Sequence, residues 1–357
     1  MSEKLYASVG SWNFRGGDRG LTLCSYENGT LKPISTFLKE LNVGTQVVDT
    51  EKHIIYLVEE TTGGEARTGG SVAAVRYDTD AETLTLINKK PTHGCNTSFL
   101  MLDHTKKYLV AVHHDEGTPD GNHDTTNSAI VLFRVEEDGS IGDICDFHLI
   151  HGETNPHVNS VYESPLEDLF ICSDKGLDKV YSLRIDRENG KLIRLDECRA
   201  DAKTAPRYGA FHPSLPIFYG NNETAPFIYM YTYTGEGKLT RSEPIFLLDG
   251  NEPKDTKVEP SDILITPDGK HLYVSIRGIN RIVSFDVSEN GALKLTSSVP
   301  CGNGPRGMGL SPDGEHLVSC NLMDGKVQVF TLNKEGIPAE PITEASVPVP
   351  GNIVFFK

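Results

Sequence analysis

The sequence predicts an all-β fold, a seven-bladed β-propeller spanning residues 1–357 as one domain, and three observations carry that prediction. A four-strand unit recurs about every 50 residues along the chain. No stretch shows the long 3.6-residue apolar period of a helix. Glycine (34 residues) and proline (20 residues) are frequent enough to close many short elements with tight turns.

Each unit reads as two hairpins. The outer hairpin is the clearer one: LTLCSYENGTLKPI, AAVRYDTDAETLTLI, IVLFRVEEDGSIGDI, VYSLRIDRENGKLIRL, IYMYTYTGEGKLTRS, IVSFDVSENGALKLTS and VQVFTLNKEGIPAEP alternate apolar and polar residues around a polar turn. Six of the seven place a glycine in that turn (Gly29, Gly139, Gly190, Gly237, Gly291 and Gly336), as hairpin turns that need a positive φ require; the exception has Asp80-Ala81-Glu82. The inner hairpin precedes it, with turns anchored at Asp49, Asp103, Pro165, Pro213, Pro267 and Pro312. Only six inner hairpins are internal. The C-terminal GNIVFF reads as a first strand without successors, and the N-terminal LYASVGSW, LTLCSY and LKPISTF read as the three that should follow it. Pairing them closes the ring and removes two open sheet edges.

The repeat frame also brings distant residues together. Ten residues past each anchor, at the end of the second strand, stand Glu59, His113, Lys175, Glu223, Arg277 and Leu322; a turn one residue short in the third copy, at Pro165, brings Asp174 rather than Lys175 into register. Six residues before each anchor, at the start of the first strand, stand Val43, Thr97, Asn159, Arg207, Ser261 and Arg306. One face of the ring is therefore rich in charge. Paired arginines in a shallow pit suit a carboxylate or phosphate through bidentate hydrogen bonds, and a neighbouring carboxylate can activate water.

Three segments carry a resemblance to a known family: APRYGAFHP followed by NNE, SDILITPDGKHLYVSIRG, and GPRGMGLSPDG. In that order, and over essentially the whole chain, the sequence resembles the seven-bladed propeller lactonases, which include a bacterial 6-phosphogluconolactonase and a fungal muconate-lactonising enzyme. The resemblance implies a site made of a histidine, two arginines and a glutamate. By motif, Arg207, Glu223 and Arg277 match three of these. The expected place of the histidine holds Asn159; His157, two residues earlier on the same strand face, either replaces it or is a structural loop residue. Two further family histidines are changed, to Tyr208 and Leu264, so the chain is a divergent relative.

These readings predict a lactonase acting on an anionic sugar-acid lactone. Glu223, His157, Arg207 and Arg277 are the expected catalytic residues, and Asn159, His113, Arg306 and Asp174 the expected substrate contacts. Two alternatives stay open: a cycloisomerase that closes or opens a lactone by internal carboxylate attack, and a non-catalytic propeller that binds a small acid or a protein partner. No metal or other cofactor is expected. The stretch HHDEGTPDGNHD, residues 113–124, offers ligands of zinc or manganese type, but its spacing matches no standard motif. No P-loop, GxSxG or strand-borne GxGxxG is present. A net charge of −16 argues against nucleic acid and anionic membrane as partners. The N-terminal MSEKLYASVG lacks an apolar signal core, and seven cysteines without a CxxC pair read as reduced thiols, so a cytoplasmic location is expected.

Overall fold

Alternating apolar strands joined by tight turns can bury both faces only if the sheets stack on one another, and that is the arrangement in the computed structural model. It describes residues 4–13, 17, 19–61, 69–117, 123–124, 127–151, 155–250 and 257–357. Seven antiparallel sheets follow one another along the chain, and among the described residues there is no helix. The innermost strands, Pro350–Phe356, Val43–Asp49, Cys95–Leu102, Val158–Glu163, Pro206–Phe211, Glu259–Ile265 and Pro305–Leu310, each contact the next around a central axis, and the last contacts the first. The fold is a seven-bladed β-propeller, as the repeats predict. Apolar clusters between successive blades form the core, for example Ile54, Tyr56 and Val58 of blade two against Ala129, Val131 and Phe133 of blade three.

Blade one is built from both ends of the chain. Pro350–Phe356 pairs antiparallel with Leu5–Ser11, in the register Tyr6 to Phe356 and Val9 to Ile353, and Gly20–Glu27 and Thr30–Phe37 complete the sheet. All six turn glycines of the outer hairpins have positive φ, from 64° at Gly190 to 88° at Gly237. In the exceptional turn Glu82 takes the left-handed conformation instead, at φ 53°. These turns also lock neighbouring blades. The hydroxyls of Tyr56, Tyr219 and Tyr273 donate to the carbonyls of Gly139, Gly291 and Gly336 in the following blade, at 2.8, 2.7 and 2.7 Å.

Two blades depart from four plain strands. In blade three, His123–Asp124 adds a short pairing to the extended strand Tyr108–Gly117. In blade five the outer strand is split into Leu239–Arg241 and Ile245–Phe246, because Pro244 between them has no N–H to offer the ladder.

A second regularity was not visible in the sequence. All seven innermost strands lose register with their partner near the start of the strand, between Val43/Gln46, Thr97/Phe99, Val158/Ser160, Pro206/Gly209, Pro260/Ile263 and Pro305/Gly307, and at Gly351 between Pro350 and Asn352. Bulges of this kind turn a side chain away from the sheet's normal alternation. The residues skipped include Asn159, Arg207, Asp262 and Arg306, which therefore reach the axis.

The closing strand supplies the innermost layer of blade one and buries Ile353 and Phe356. Deleting residues 351–357 should expose two sheet edges and lower the melting temperature by at least about 10 °C, or leave the protein insoluble. A truncated protein melting with its parent in a thermal scan would contradict ring closure.

Candidate functional site

The inner strands begin, and the second strands end, on one face of the ring. There the structure gathers side chains from four consecutive blades. Arg207 is the second residue of its inner strand and is almost fully buried. Its guanidinium lies 4.0 Å from the centre of the Tyr208 ring and donates to the Ser261 carbonyl. Glu223 follows the second strand of the same blade. One of its oxygens accepts from Arg277 Nη2 at 2.6 Å and lies 3.6 Å from Arg207 Nε; the other accepts from Lys175 Nζ at 3.0 Å. One carboxylate is thus surrounded by three cations. Burial alone would raise its pKa, but Arg207, Lys175 and Arg277 together outweigh that and hold it far below the usual carboxylate range. Burial, and then Arg207, lower the pKa of Arg277, with Glu223 opposing.

Two nitrogens at this cluster are buried with no hydrogen-bond partner among the described residues: Arg277 Nε and His157 Nε2. Native proteins leave few such groups, so each marks a place for a ligand or water oxygen. His157 sits just before its inner strand, where its N–H donates to Asp174 at 2.9 Å. Its ring lies 3.7 Å from that of His114. Burial, reinforced by Lys175 and only partly opposed by Glu223, brings the His157 pKa down to about 3. His114 is pushed the same way by burial, His157 and Lys175. His114 Nε2 in turn lies 3.1 Å from Asn159 Oδ1.

Of the residues expected from the sequence, Glu223, His157, Arg207, Arg277 and Asn159 come together. Three others are corrected. His113 points into the body of its blade, fully buried against Phe147 and under Gly94, where a Cβ would lie 2.1 Å from its Nδ1. Adjacent strand residues face opposite sides, so its neighbour His114 is the one that meets the site. Asp174 is a turn-capping residue: it accepts from the backbone N–H groups of His157, Gly176 and Leu177, at 2.9 to 3.1 Å. Burial raises its pKa to about 6 against those bonds. The residue that faces the site is Lys175, which the uncorrected count selects; the inferred one-residue shift pointed the wrong way. Arg306 reaches the axis but is committed to the seam. It donates to the Gly44 carbonyl at 2.9 Å and to Glu60 at 3.0 Å, and stacks on Trp12 at 4.3 Å.

Glu60 itself was missed, because the count stops at Glu59. That residue turns aside to Ser71 and Lys89, at 2.7 and 2.8 Å. Burial raises the Glu60 pKa, with Arg306 the chief opposing influence. Along the axis lies a cavity of about 360 Å³ lined by Tyr208, Asp262, Tyr162, Gln46 and Arg306 among others. Asp262 there has a pKa raised to about 6 by burial, despite N–H donors from Met308 and Ile263.

The histidine-rich stretch 113–124 falls largely outside the described residues. Among the described residues, two groups have their possible ligand atoms close enough to share a metal ion: Asp103, His104 and Glu163, and Asp313, Glu315 and His316. Both lie at inner-hairpin turns, on the opposite face of the ring from the cluster. In the first, Arg187 already holds Asp103 at 2.8 Å. Among the described residues no helix is long and apolar enough to cross a membrane.

Comparison with known proteins agrees with this architecture. The family described as "Lactonase, 7-bladed beta-propeller" matches residues 7–355. The 6-phosphogluconolactonase of Bacillus subtilis is 25% identical over 366 residues, covering 99% of this chain and 98% of the relative. That of Formosa agariphila is 28% identical over 287 residues, 76% of either chain. The periplasmic gluconolactonase of Pseudomonas aeruginosa superposes with a TM-score of 0.88 at 20% identity over 99% of both chains, a likeness of fold. With the match running from the first strand of blade one to its closing strand, the chain belongs to the seven-bladed β-propeller lactonase family.

Proposed function

We propose that the protein is a metal-independent lactonase that opens an anionic sugar-acid lactone, 6-phosphogluconolactone or a close analogue, at the mouth of the central channel. The observation that carries this reading is the local surplus of charge: among the described residues, Glu223 is the one carboxylate in ion-pair contact with Arg207, Arg277 and Lys175. A buried cluster with more cations than anions is costly unless a ligand supplies the missing negative charge. The names of the Bacillus subtilis and Formosa agariphila relatives support a phosphorylated sugar lactone.

In this reading the partly exposed Arg277 and Lys175 hold the substrate's phosphate or carboxylate. Arg207, deeper and fixed by Ser261 and Tyr208, faces the lactone carbonyl and stabilises the oxyanion as it forms. Water adds to the carbonyl carbon, the ring C–O bond breaks, and one proton passes to the departing alkoxide while the other leaves with the new carboxylic acid. His157, held neutral with a pKa lowered to about 3, is a weak proton acceptor, so in this reading its unpartnered Nε2 orients the attacking water or the leaving oxygen by a hydrogen bond and the proton passes through water. The sequence reading made Glu223 the base. Its three cations make it a poor proton acceptor, so its role here is to hold those cations in place and to orient water. The same cations would repel a divalent metal ion, so the donor set does not suit one. Seven free cysteines, four of them buried, support a reducing, cytoplasmic location.

A panel of lactones, with acid release as readout and a chelator control, tests the proposal. Hydrolysis without added metal is expected; conversion with no change in acid count would point to cycloisomerisation. Arg277→Ala should raise KM for anionic lactones by roughly ten- to hundredfold and leave neutral ones nearly unaffected, since a charge-assisted contact is worth about 1.5–3 kcal/mol. Equal losses on both would place Arg277 elsewhere in the reaction.

Glu223→Gln increases the positive surplus. KM for an anionic lactone should hold or fall, and kcat should drop about tenfold, short of the 10²–10⁴ typical of a lost general base. A larger fall with unchanged folding would return the base role to Glu223.

Neither Glu223 nor His157 titrates near neutrality. Asp174 and Asp262, each raised to about 6 by burial, do titrate close by. Turnover of a carboxylate-bearing lactone, corrected for spontaneous hydrolysis, should therefore stay flat between about pH 7 and 8, and any break near pH 6 should vanish in Asp174→Asn or Asp262→Asn. A break that survives both substitutions would show that a histidine of normal pKa takes part.

A further inference from the structure

Charge recognition leaves His114 unexplained. It is buried in the second strand of blade three, and it faces a site whose charged residues come from blades four, five and six. Its ring is hydrogen-bonded to Asn159. The amide nitrogen of Asn159 donates to the Arg207 carbonyl at 3.4 Å, so Oδ1 is the acceptor toward His114, whose Nε2 must then carry the hydrogen. This bond fixes both the orientation and the tautomer of the His114 ring.

That ring in turn lies against His157, with centroids 3.7 Å apart and planes 36° from parallel. The His157 backbone is already pinned. Its N–H donates to Asp174 at 2.9 Å, its carbonyl accepts from the Lys175 N–H at 3.1 Å, and the next N–H donates to Ser128 Oγ at 2.9 Å. What the backbone leaves undetermined is rotation of the imidazole about its side-chain bonds, and the His114 ring restricts that rotation. The nitrogen so directed, His157 Nε2, is the one left buried without a partner among the described residues.

We propose that His114 is a positioning residue: tied to Asn159 and stacked on His157, it fixes the His157 imidazole so that Nε2 meets the bound lactone. The place where the family carries its histidine is taken by Asn159, and Asn159 anchors this second imidazole from the neighbouring blade. The proposal rests on the cluster being the substrate site, but its test does not depend on turnover.

The charged groups that bear on the His157 ring are Lys175, which disfavours a charged ring, and Glu223, which favours one, and burial is the largest influence. On His114 burial, His157, Lys175 and His113 disfavour charge, and the bond to Asn159 favours it. Asp174 reaches His157 only through its backbone. The His114 ring packs directly on His157, so removing it admits water and lessens the burial of His157, and the pKa of His157 should move toward the ordinary value of about 6.5.

The experiment is an imidazole nitrogen-15 NMR titration of the full-length protein between about pH 4 and 8, on the wild type, His114→Ala, His114→Gln and His114→Phe, with steady-state kinetics on an anionic lactone alongside. In the wild type, His157 should show one tautomer and no titration above about pH 5. Ala and Gln remove the ring; Gln keeps a donor for Asn159 and serves if Ala does not fold. Both should give averaged tautomers, a His157 midpoint raised by at least about one unit, and kcat lowered about tenfold with KM within about twofold. Phe restores the stacked surface and should recover the low midpoint and most of kcat. A folded Ala or Gln variant whose His157 signals match the wild type at every pH overturns the proposal. Shifted signals in a protein that turns over no lactone would keep the positioning role and overturn the substrate reading instead.

Discussion

Everything in this molecule depends on closing the ring. Pro350–Phe356 lies beside Leu5–Ser11, and through it the last blade meets the first. The seam is also where buried charge is concentrated for structure. Arg306 of blade seven spans to Gly44 and Glu60 of blade two, stacks on Trp12 of blade one, and approaches the Gly351 carbonyl at 3.4 Å. A buried pair of this sort is expensive to break, because the surviving charge is left uncompensated. Closure sets where each inner strand starts, and so sets the spacing of the residues that crowd the channel mouth on the other side of the axis.

There the same kind of charge is arranged differently. Arg306 and Glu60 face each other as one cation and one anion; Arg207, Arg277 and Lys175 share Glu223. One arrangement is complete and the other is short of negative charge. The chain as a whole carries −16, which opposes an anionic ligand at long range. At physiological ionic strength that repulsion fades within about 8 Å, so the local surplus of positive charge governs binding once the ligand enters the mouth.

The surplus has a second effect, on the histidines. Imidazoles near neutral pH usually gain or lose a proton readily. Burial and Lys175 hold both His114 and His157 toward the uncharged form here, and His157 adds to this at His114. A histidine held neutral can still donate or accept a hydrogen bond without adding to the charge that the ligand must balance. The cations handle charge, and the imidazoles are left to handle direction. This division fits a reaction in which the substrate brings its own anion and the carbonyl needs an oriented partner.

Much of the architecture was legible in the sequence, because strand alternation and turn glycines are local signals and repeat seven times. The glycines Gly29 to Gly336 mark the outer hairpins, and the orphan GNIVFF implied closure. Repeat spacing also brought Arg207, Glu223 and Arg277 into one ring, since Glu223 and Arg277 lie ten residues past their turns and Arg207 six before its own, two offsets that meet on the same face. What the sequence could not decide was the direction of side chains at strand ends, where one residue changes the face. His113 and His114, Glu59 and Glu60, and Asp174 and Lys175 are adjacent pairs, and in each the register count or its adjustment chose the member that turns away. Bulges in all seven inner strands break the alternation on which such counting depends, and a bulge leaves little trace in residue type. The tie from His114 to Asn159 joins two blades through 45 residues of chain, and only the tertiary packing of those blades decides that the two side chains meet.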